Sequence, residues 1–376
     1  MLSLAYLLRV QQVTSSYGAA GLVLAATSVG QAIAGPLTSR WMGRWGMRPV
    51  LILTTIICAI TIFAIAFVPM PVYLYMIVGF VGGLTTPPVQ PAVRTIYPKM
   101  VTSAQLTRLF ALDASAQEII WIAGPVVITF ISIQVSTVLG VVVPGILLVA
   151  GGLWFVLSPE VGKVRIPRSR RSLGAVLAKK PVILATFVGL LLIGACAATE
   201  ASVVAVFGHS GPQAGIVLAI WSVGSLAGGL ALGHIPVGPW ALARRMIIVA
   251  VGIALAVFTL GNFWGLSATL LISGLGIAPA LGVMSAIVAS SVRFSETAEA
   301  YGWVGTGQLI GAAAGSGVAG AFIDQGGAQG GFIVAGVLAI VGALVAVLFH
   351  RWHPDLRGRD SSPIPDTEPV STQGPS

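Results

Sequence analysis

The sequence predicts an all-α integral membrane protein, a bundle of two sets of six helices whose first helix is incomplete. Three observations carry this. The 376-residue chain is 56% hydrophobic and only 8% charged, against about 25% charged residues in a soluble domain. Between Tyr17 and His350 its apolar residues fall into about eleven runs of roughly 20 residues, the length a bilayer core demands. Lys and Arg crowd into every second gap between those runs, and cytoplasmic loops keep such residues while translocated loops do not. Backbone polar groups in lipid must be satisfied internally. Runs of this length without period-two alternation are therefore helices, not barrel strands.

Taken in order, the spans read as 18–39, 49–68, 72–93, 104–130, 133–157, 181–206, 213–233, 246–262, 264–291, 298–323 and 330–350. Arg40, Arg44 and Arg48 fill the first gap, and the second is empty. Arg94, Lys99 and Arg108 follow, then another empty gap. The segment 158–180 is the longest polar interruption and the most basic, with Lys163, Arg165, Arg168, Arg170, Arg171, Lys179 and Lys180. Arg244, Arg245 and Arg293, then Arg351, Arg357 and Arg359, continue the alternation; only Arg9 lies outside it. Both termini are expected on the cytoplasmic side of the cytoplasmic membrane, in a multi-pass protein.

The N-terminal run from Met1 to Val13 is apolar but reaches only ~20 Å at 1.5 Å per residue, against a core of ~30 Å. It has no basic flank of the kind that opens a signal peptide. The alternation requires it to begin inside and end outside. It reads as a first helix lacking its cytoplasmic half, so the functional protein is expected to start upstream of Met1. The expected organisation is a six-helix half over 1–157, a basic linker over 158–180, a second half over 181–350 and a disordered tail over 351–376. That tail is rich in Pro, Ser and Asp without an apolar period.

Composition excludes several functions. A net charge of +9 would suggest nucleic acid in a soluble protein; here it is the topology signal plus attraction to anionic headgroups, and no nucleic acid is expected. Cys58 and Cys196 sit in separate apolar spans, and no metal-ligand spacing exists. The chain has no HExxH, no phosphate-binding glycine loop and no GxSxG, which argues against an enzyme or an ATP-driven pump. No cofactor and no metal are expected.

Six and six spans with a long basic middle loop resemble the major facilitator superfamily of secondary transporters. The hairpin from Ser39 to Leu51 is similar to that family's loop signature, GxxxDRxGxRxxxL: Arg44, Gly46 and Arg48 match, while Ser39 replaces a glycine and Gly43 replaces the acid. The stretch from Pro91 through Arg94 and Glu118 to Gly124 and Pro125 resembles helices four and five of drug-efflux-like bacterial members. Gly194 to Glu200 resembles the start of their second half, and Gly302 to Asp324 their eleventh helix. The resemblance implies two pseudo-symmetric halves and transport of a small molecule as a monomer in contact with membrane lipids, by efflux coupled to protons. The alternative reading is a transport-inactive truncated or decayed copy, favoured by the short first helix and the missing acid at Gly43.

Ionisable side chains inside a bilayer default to a functional hypothesis. Three acids fall within the spans: Asp113, Glu118 and Glu200. Glu118, mid-helix between Gln117 and Trp121, is the first candidate for proton coupling, since burial raises a carboxyl pKa toward neutrality. Its alternative is helix-to-helix glue. Glu200 lies where the resemblance places a cavity-lining helix, so it is a substrate or proton candidate, or else a solvated helix end. Asp113 lies at the depth of Arg94 and Arg108, so an Asp113–Arg94 pair could close an inner gate or be an ordinary interfacial pair. In the family Arg44 and Arg48 serve the inner gate; without an acid at Gly43 they could serve topology alone. Trp121, Trp221 and Trp303, with Gln117, could line a cavity or anchor at interfaces. Gly307, Gly311 and Gly315, spaced by four, read as helix packing. Pro87, Pro88 and Pro91 should break one helix.

Overall fold

The apolar runs fold as helices throughout. The structure, a computed structural model, describes residues 2–164, 166–167, 172–207, 213–233, 235–358 and 362–366. The order is α1 (Leu2–Thr14), α2 (Tyr17–Trp45), α3 (Met47–Phe67), α4 (Val72–Leu84), α5 (Val89–Met100), α6 (Ser103–Phe130), α7 (Thr137–Leu157), α8 (Pro159–Lys163), α9 (Lys180–Phe207), α10 (Gln213–Leu232), α11 (Ala241–Ala256), α12 (Phe263–Ser291) and α13 (Phe294–Leu348). Among the described residues eight helices are long and apolar enough to cross a membrane. The longest, α13, is two spans joined at Gly327, whose φ of 64° and ψ of −164° end one helix and start the next.

The helices pair in a pattern that repeats. In the first set α2 packs on α4 and α3 on α7; in the second α10 packs on α12 and α11 on α13. The two sets meet where α2 and α5 pack on α13, and where α6 packs on α10 and α12. Apolar surface gives little drive for helix association in lipid, so small residues that let backbones approach decide these contacts. Gly311 faces the carbonyl of Leu190 and Gly315 that of Gly194, while a Cβ on Gly307 would lie 2.9 Å from Thr186. The three glycines spaced by four are thus the seam between α9 and α13.

Local chemistry sets the helix ends. Gly46 has φ 92° between α2 and α3, a conformation L side chains rarely adopt, and its amide donates to the Met42 carbonyl. The chain breaks between α4 and α5, where Thr85 to Pro88 interrupt a span read as 72–93, and the helix then runs on to Met100. The span read as 246–262 is instead α11, which begins at Ala241 and ends at Ala256. Arg244 and Arg245 therefore lie inside a helix rather than in a loop. Arg245 is 7% exposed; it donates to Ala241 O at 2.9 Å and to Leu232 O at 3.4 Å, so its buried guanidinium is paired with backbone at the end of α10 and the start of α11.

The tail departs from the expected disorder in its described part. The Leu356 amide donates to Val237 O at 2.9 Å, and Ile364 exchanges backbone hydrogen bonds with Val292 and Phe294, both at 3.0 Å. Asp366 accepts from the Ser295 amide at 3.1 Å and its hydroxyl at 2.6 Å. The physical reason is the start of α13: a helix N-terminus presents unpaired amides and a partial positive charge, which a carboxylate satisfies. Residues 359–361 and 367–376 lie outside the described part.

Candidate functional site

Polar side chains converge where the two helix sets meet, at the ends that carry the basic residues. On α5, Gln90, Arg94 and Tyr97 are spaced by four and three, so they share one face. On α6, Asp113 and Gln117 are spaced by four and share another. A tight turn capped by Thr102 and Gln105 sets the two helices side by side. Arg94 Nε donates to Asp113 Oδ2 at 3.1 Å, with side chains 8% and 16% exposed. The Tyr97 hydroxyl donates to Asp113 Oδ1 at 3.0 Å, and Gln117 Nε2 to Oδ2 at 3.0 Å. Gln90 Nε2 in turn donates to Gln117 Oε1 at 2.7 Å. Asp113 is the hub. A charge this buried is retained only with a partner and with its lone pairs filled.

The second helix set closes on this cluster. The Arg94 guanidinium stands 5.9 Å from the Tyr301 ring centroid on α13, within reach of a cation–π attraction. Tyr301 is fixed by donating its hydroxyl to Ser285 O at 2.9 Å. Phe110 lies between Tyr97 and Tyr301, with centroid separations of 5.9 and 6.3 Å. An ion pair is thus floored by three aromatic rings drawn from both sets.

A second charged contact lies nearer the basic ends. Arg40 on α2 meets Glu299 on α13 at 3.4 Å, and the Gly174 amide of the linker donates to Glu299 at 2.8 Å. Lys179 Nζ donates to Glu296 at 2.6 Å. Between these charges the backbones touch: a Cβ on Gly35 would lie 2.8 Å from Gly302 O, and Thr306 donates to Ala32 O at 2.7 Å. On the other flank Ala111 of α6 packs against Gly233 and Gly282. All these contacts lie toward the ends that carry Arg40, Arg94 and Lys179.

The residues singled out from sequence divide as follows. The structure brings together Asp113, Arg94 and Gln117. Glu118 and Trp121 lie on α6, but their side chains fall outside the described part. Glu200 is exposed on α9, away from the cluster on α5 and α6. Trp221 is 4% exposed and packs in the core of the second set, where its backbone meets Gly274. Trp303 packs beside Gly174 of the linker, one turn from Glu299, and belongs to the closed seam. Arg44 is exposed over the Trp45 ring at 5.9 Å, and Arg48 donates to Ser158 O at 3.1 Å; neither joins the charged contacts described above. Gly46 makes the turn.

Sequence reasoning missed Arg40, Glu296, Glu299, Lys179, Tyr97 and Gln90. Glu296 and Glu299 sit in the first turns of a helix, where acids are ordinary partners of the dipole. Their spacing of three is the one signal that both face the same neighbour. Gly43, in place of the acid of the loop signature, faces Pro167 and Ile166 of the linker, while Glu299, far away in sequence and on the other helix set, pairs with Arg40.

A sequence model of the Major Facilitator Superfamily matches residues 1–243 and 198–372. Curated proteins give no sequence match. Among solved structures, the human organic anion transporter TETRAN is similar with a TM-score of 0.67 and 17% identity, over 88% of this chain and 83% of that one. The E. coli fucose:proton symporter gives 0.67 and 16%, over 93% and 97%. A bacterial homologue of the iron transporter ferroportin, in its outward-facing state, gives 0.71 and 12%, over 93% and 98%. At these identities the likeness is one of fold.

Proposed function

The chain belongs to the major facilitator superfamily, and as a transporter rather than an enzyme we propose that it exports a small molecule across the cytoplasmic membrane by proton antiport. Halves spanning 1–157 and 181–350, joined by the linker 158–180, rock about a midplane site. The basic ends are cytoplasmic, because cytoplasmic loops keep Lys and Arg. The contacts between the two sets at those ends then form a cytoplasmic seal. A reporter fused after His350 should work only in its cytoplasmic form.

One observation carries the coupling: Asp113 holds Arg94 at the point where Tyr301 of the other half closes on it. With Asp113 ionised, the pair is neutral overall and can sit on the aromatic floor. A proton arriving on Asp113 removes the charge that holds Arg94. The guanidinium is then unpaired in a poorly solvated place, which is costly, and the seal loosens. Proton binding from outside would thus favour inward opening, and proton loss inside would restore the seal. Glu118, five residues further out and about 140° around α6 from Asp113, is the other proton candidate. Glu200 on α9 is the candidate contact from the second half.

The test is transport. A strain overexpressing the protein is screened against a compound panel, and a hit is followed in proteoliposomes. Export is supported if tolerance rises and the compound drives counterflow of protons. Proton movement in the same direction as the compound would replace antiport by symport.

A further inference from the structure

A cleft of about 450 Å³ runs between α3 and α7, lined by Ile52, Thr55, Ile56, Ile60, Phe63 and Leu153 among others. These helices pack against α1, α2, α4, α6 and α8 of the first set. Ile52, Ile56, Ile60 and Leu153 are exposed and apolar, as are Leu147, Trp154 and Leu157 on α7. In a membrane this face meets lipid. From residue 52 to residue 63 the cleft follows α3 for about 16 Å, at 1.5 Å per residue. Taking for each methylene roughly the ~30 Å³ of a liquid water, it has room for about fifteen.

One end of the cleft opens beside a cation. Arg48 lies one turn from Ile52, is exposed, and donates Nη2 to Ser158 O at 3.1 Å, just past the end of α7. Its guanidinium lies against Gly162 of α8, where a Cβ would come within 2.7 Å. Arg48 thus ties together both walls at the mouth. The Ser158 bond uses one of the five donors a guanidinium carries. Lys163, Arg165, Arg168, Arg170 and Arg171 follow in the sequence directly after this mouth.

We propose that the cleft between α3 and α7 holds one acyl chain of an anionic phospholipid, its phosphate on Arg48. Chain and headgroup are recognised at opposite ends of one slot, which distinguishes this site from the general lipid-facing surface. The assignment stands whatever the transported substrate and whatever the coupling ion. A zwitterionic lipid fills the slot equally well and carries the same phosphate, but its own ammonium group offsets that charge beside Arg48.

The test is competition between phosphatidylglycerol and phosphatidylcholine of identical chains, read by native mass spectrometry of the full-length protein released from nanodiscs. The wild type is expected to retain one phosphatidylglycerol about five-fold better, the preference one cation near the surface confers. Arg48→Gln should bring that ratio to about one, and Ala59→Phe, at a further lining position on α3, should fill the slot and lower retention of both lipids. Inorganic phosphate should not displace the bound lipid. Equal retention of the two lipids by the wild type overturns the proposal without recourse to any variant. An unchanged ratio in folded Arg48→Gln, displacement by free phosphate, or a second copy of the chain retained in place of lipid does so as well.

Discussion

Arg40 on α2 and Glu299 on α13, 259 positions apart in sequence, meet at 3.4 Å across the seam between the two helix sets. The loop position that lacks an acid, Gly43, faces Pro167 and Ile166 instead. A contact that spans the seam must break when the halves separate there, so it weights the equilibrium toward the sealed arrangement. Glu299→Gln should raise the reactivity of a cysteine placed at Thr306 toward a permeant maleimide. The rise should be about two- to five-fold, from the ~0.5–1 kcal/mol of a partly exposed pair. Unchanged labelling would make the pair peripheral to gating.

Asp113→Asn should stop proton-coupled transport. Asparagine keeps the shape and can still accept from Tyr97, but it does not titrate near neutral pH. It also leaves Arg94 unpaired, at a cost of about 3–5 kcal/mol for a buried charge. The Asp113→Asn/Arg94→Gln double variant should recover thermal stability while remaining uncoupled. Substrate-dependent proton flux in proteoliposomes separates the two effects. Wild-type flux in Asp113→Asn, with flux lost in Glu118→Gln, would move the coupling role to Glu118.

Replacing Gly311 with Leu should destabilise the second half. Its Cβ would press on the Leu190 carbonyl, a backbone atom that cannot rotate away. Overpacking of this kind costs about 1–3 kcal/mol, seen as a lower Tm in detergent. Gly317→Ala is the control: a Cβ there meets nothing within 4 Å, and less freedom in the unfolded chain should leave stability equal or slightly higher. Equal losses at both sites would contradict the packing seam.

His353 should make the docked tail sensitive to acid. Burial lowers its pKa from 6.5 to about 4, with the nearby Arg245 adding to the effect. The docked state therefore favours the neutral ring, while the undocked tail takes up a proton below about pH 6.5. Docking is at full strength above that value and is lost as pH falls toward 4. Protection of the Leu356 and Ile364 amides, the slowing of their exchange relative to a free amide at the same pH, should fall across that window, and His353→Gln should flatten the dependence. Protection falling with the same profile in both proteins would remove His353 from the account.

Length and composition alone made the class legible. Lipid leaves the backbone no partner but itself, so apolar runs of bilayer length had to be helices, and alternate loading of the gaps with arginine ordered them. Local rules also placed the break at Pro87 and Pro88 and the glycine seam at Gly307, Gly311 and Gly315. These features depend on neighbours within one or two helical turns. The charged contacts between the two helix sets depend on something else. Arg94 and Asp113 are close enough along the chain to be paired by depth alone, but Tyr301 beneath them, Glu299 opposite Arg40 and Lys179 against Glu296 are brought together only by the packing of one helix set on the other. An acid in the first turn of a helix looks the same in sequence whether it faces water, the helix dipole or an arginine from across the molecule. The tail's contacts are hidden for the same reason: its composition lacks a core, and only the tertiary structure sets Asp366 beside the Ser295 amide at the start of α13.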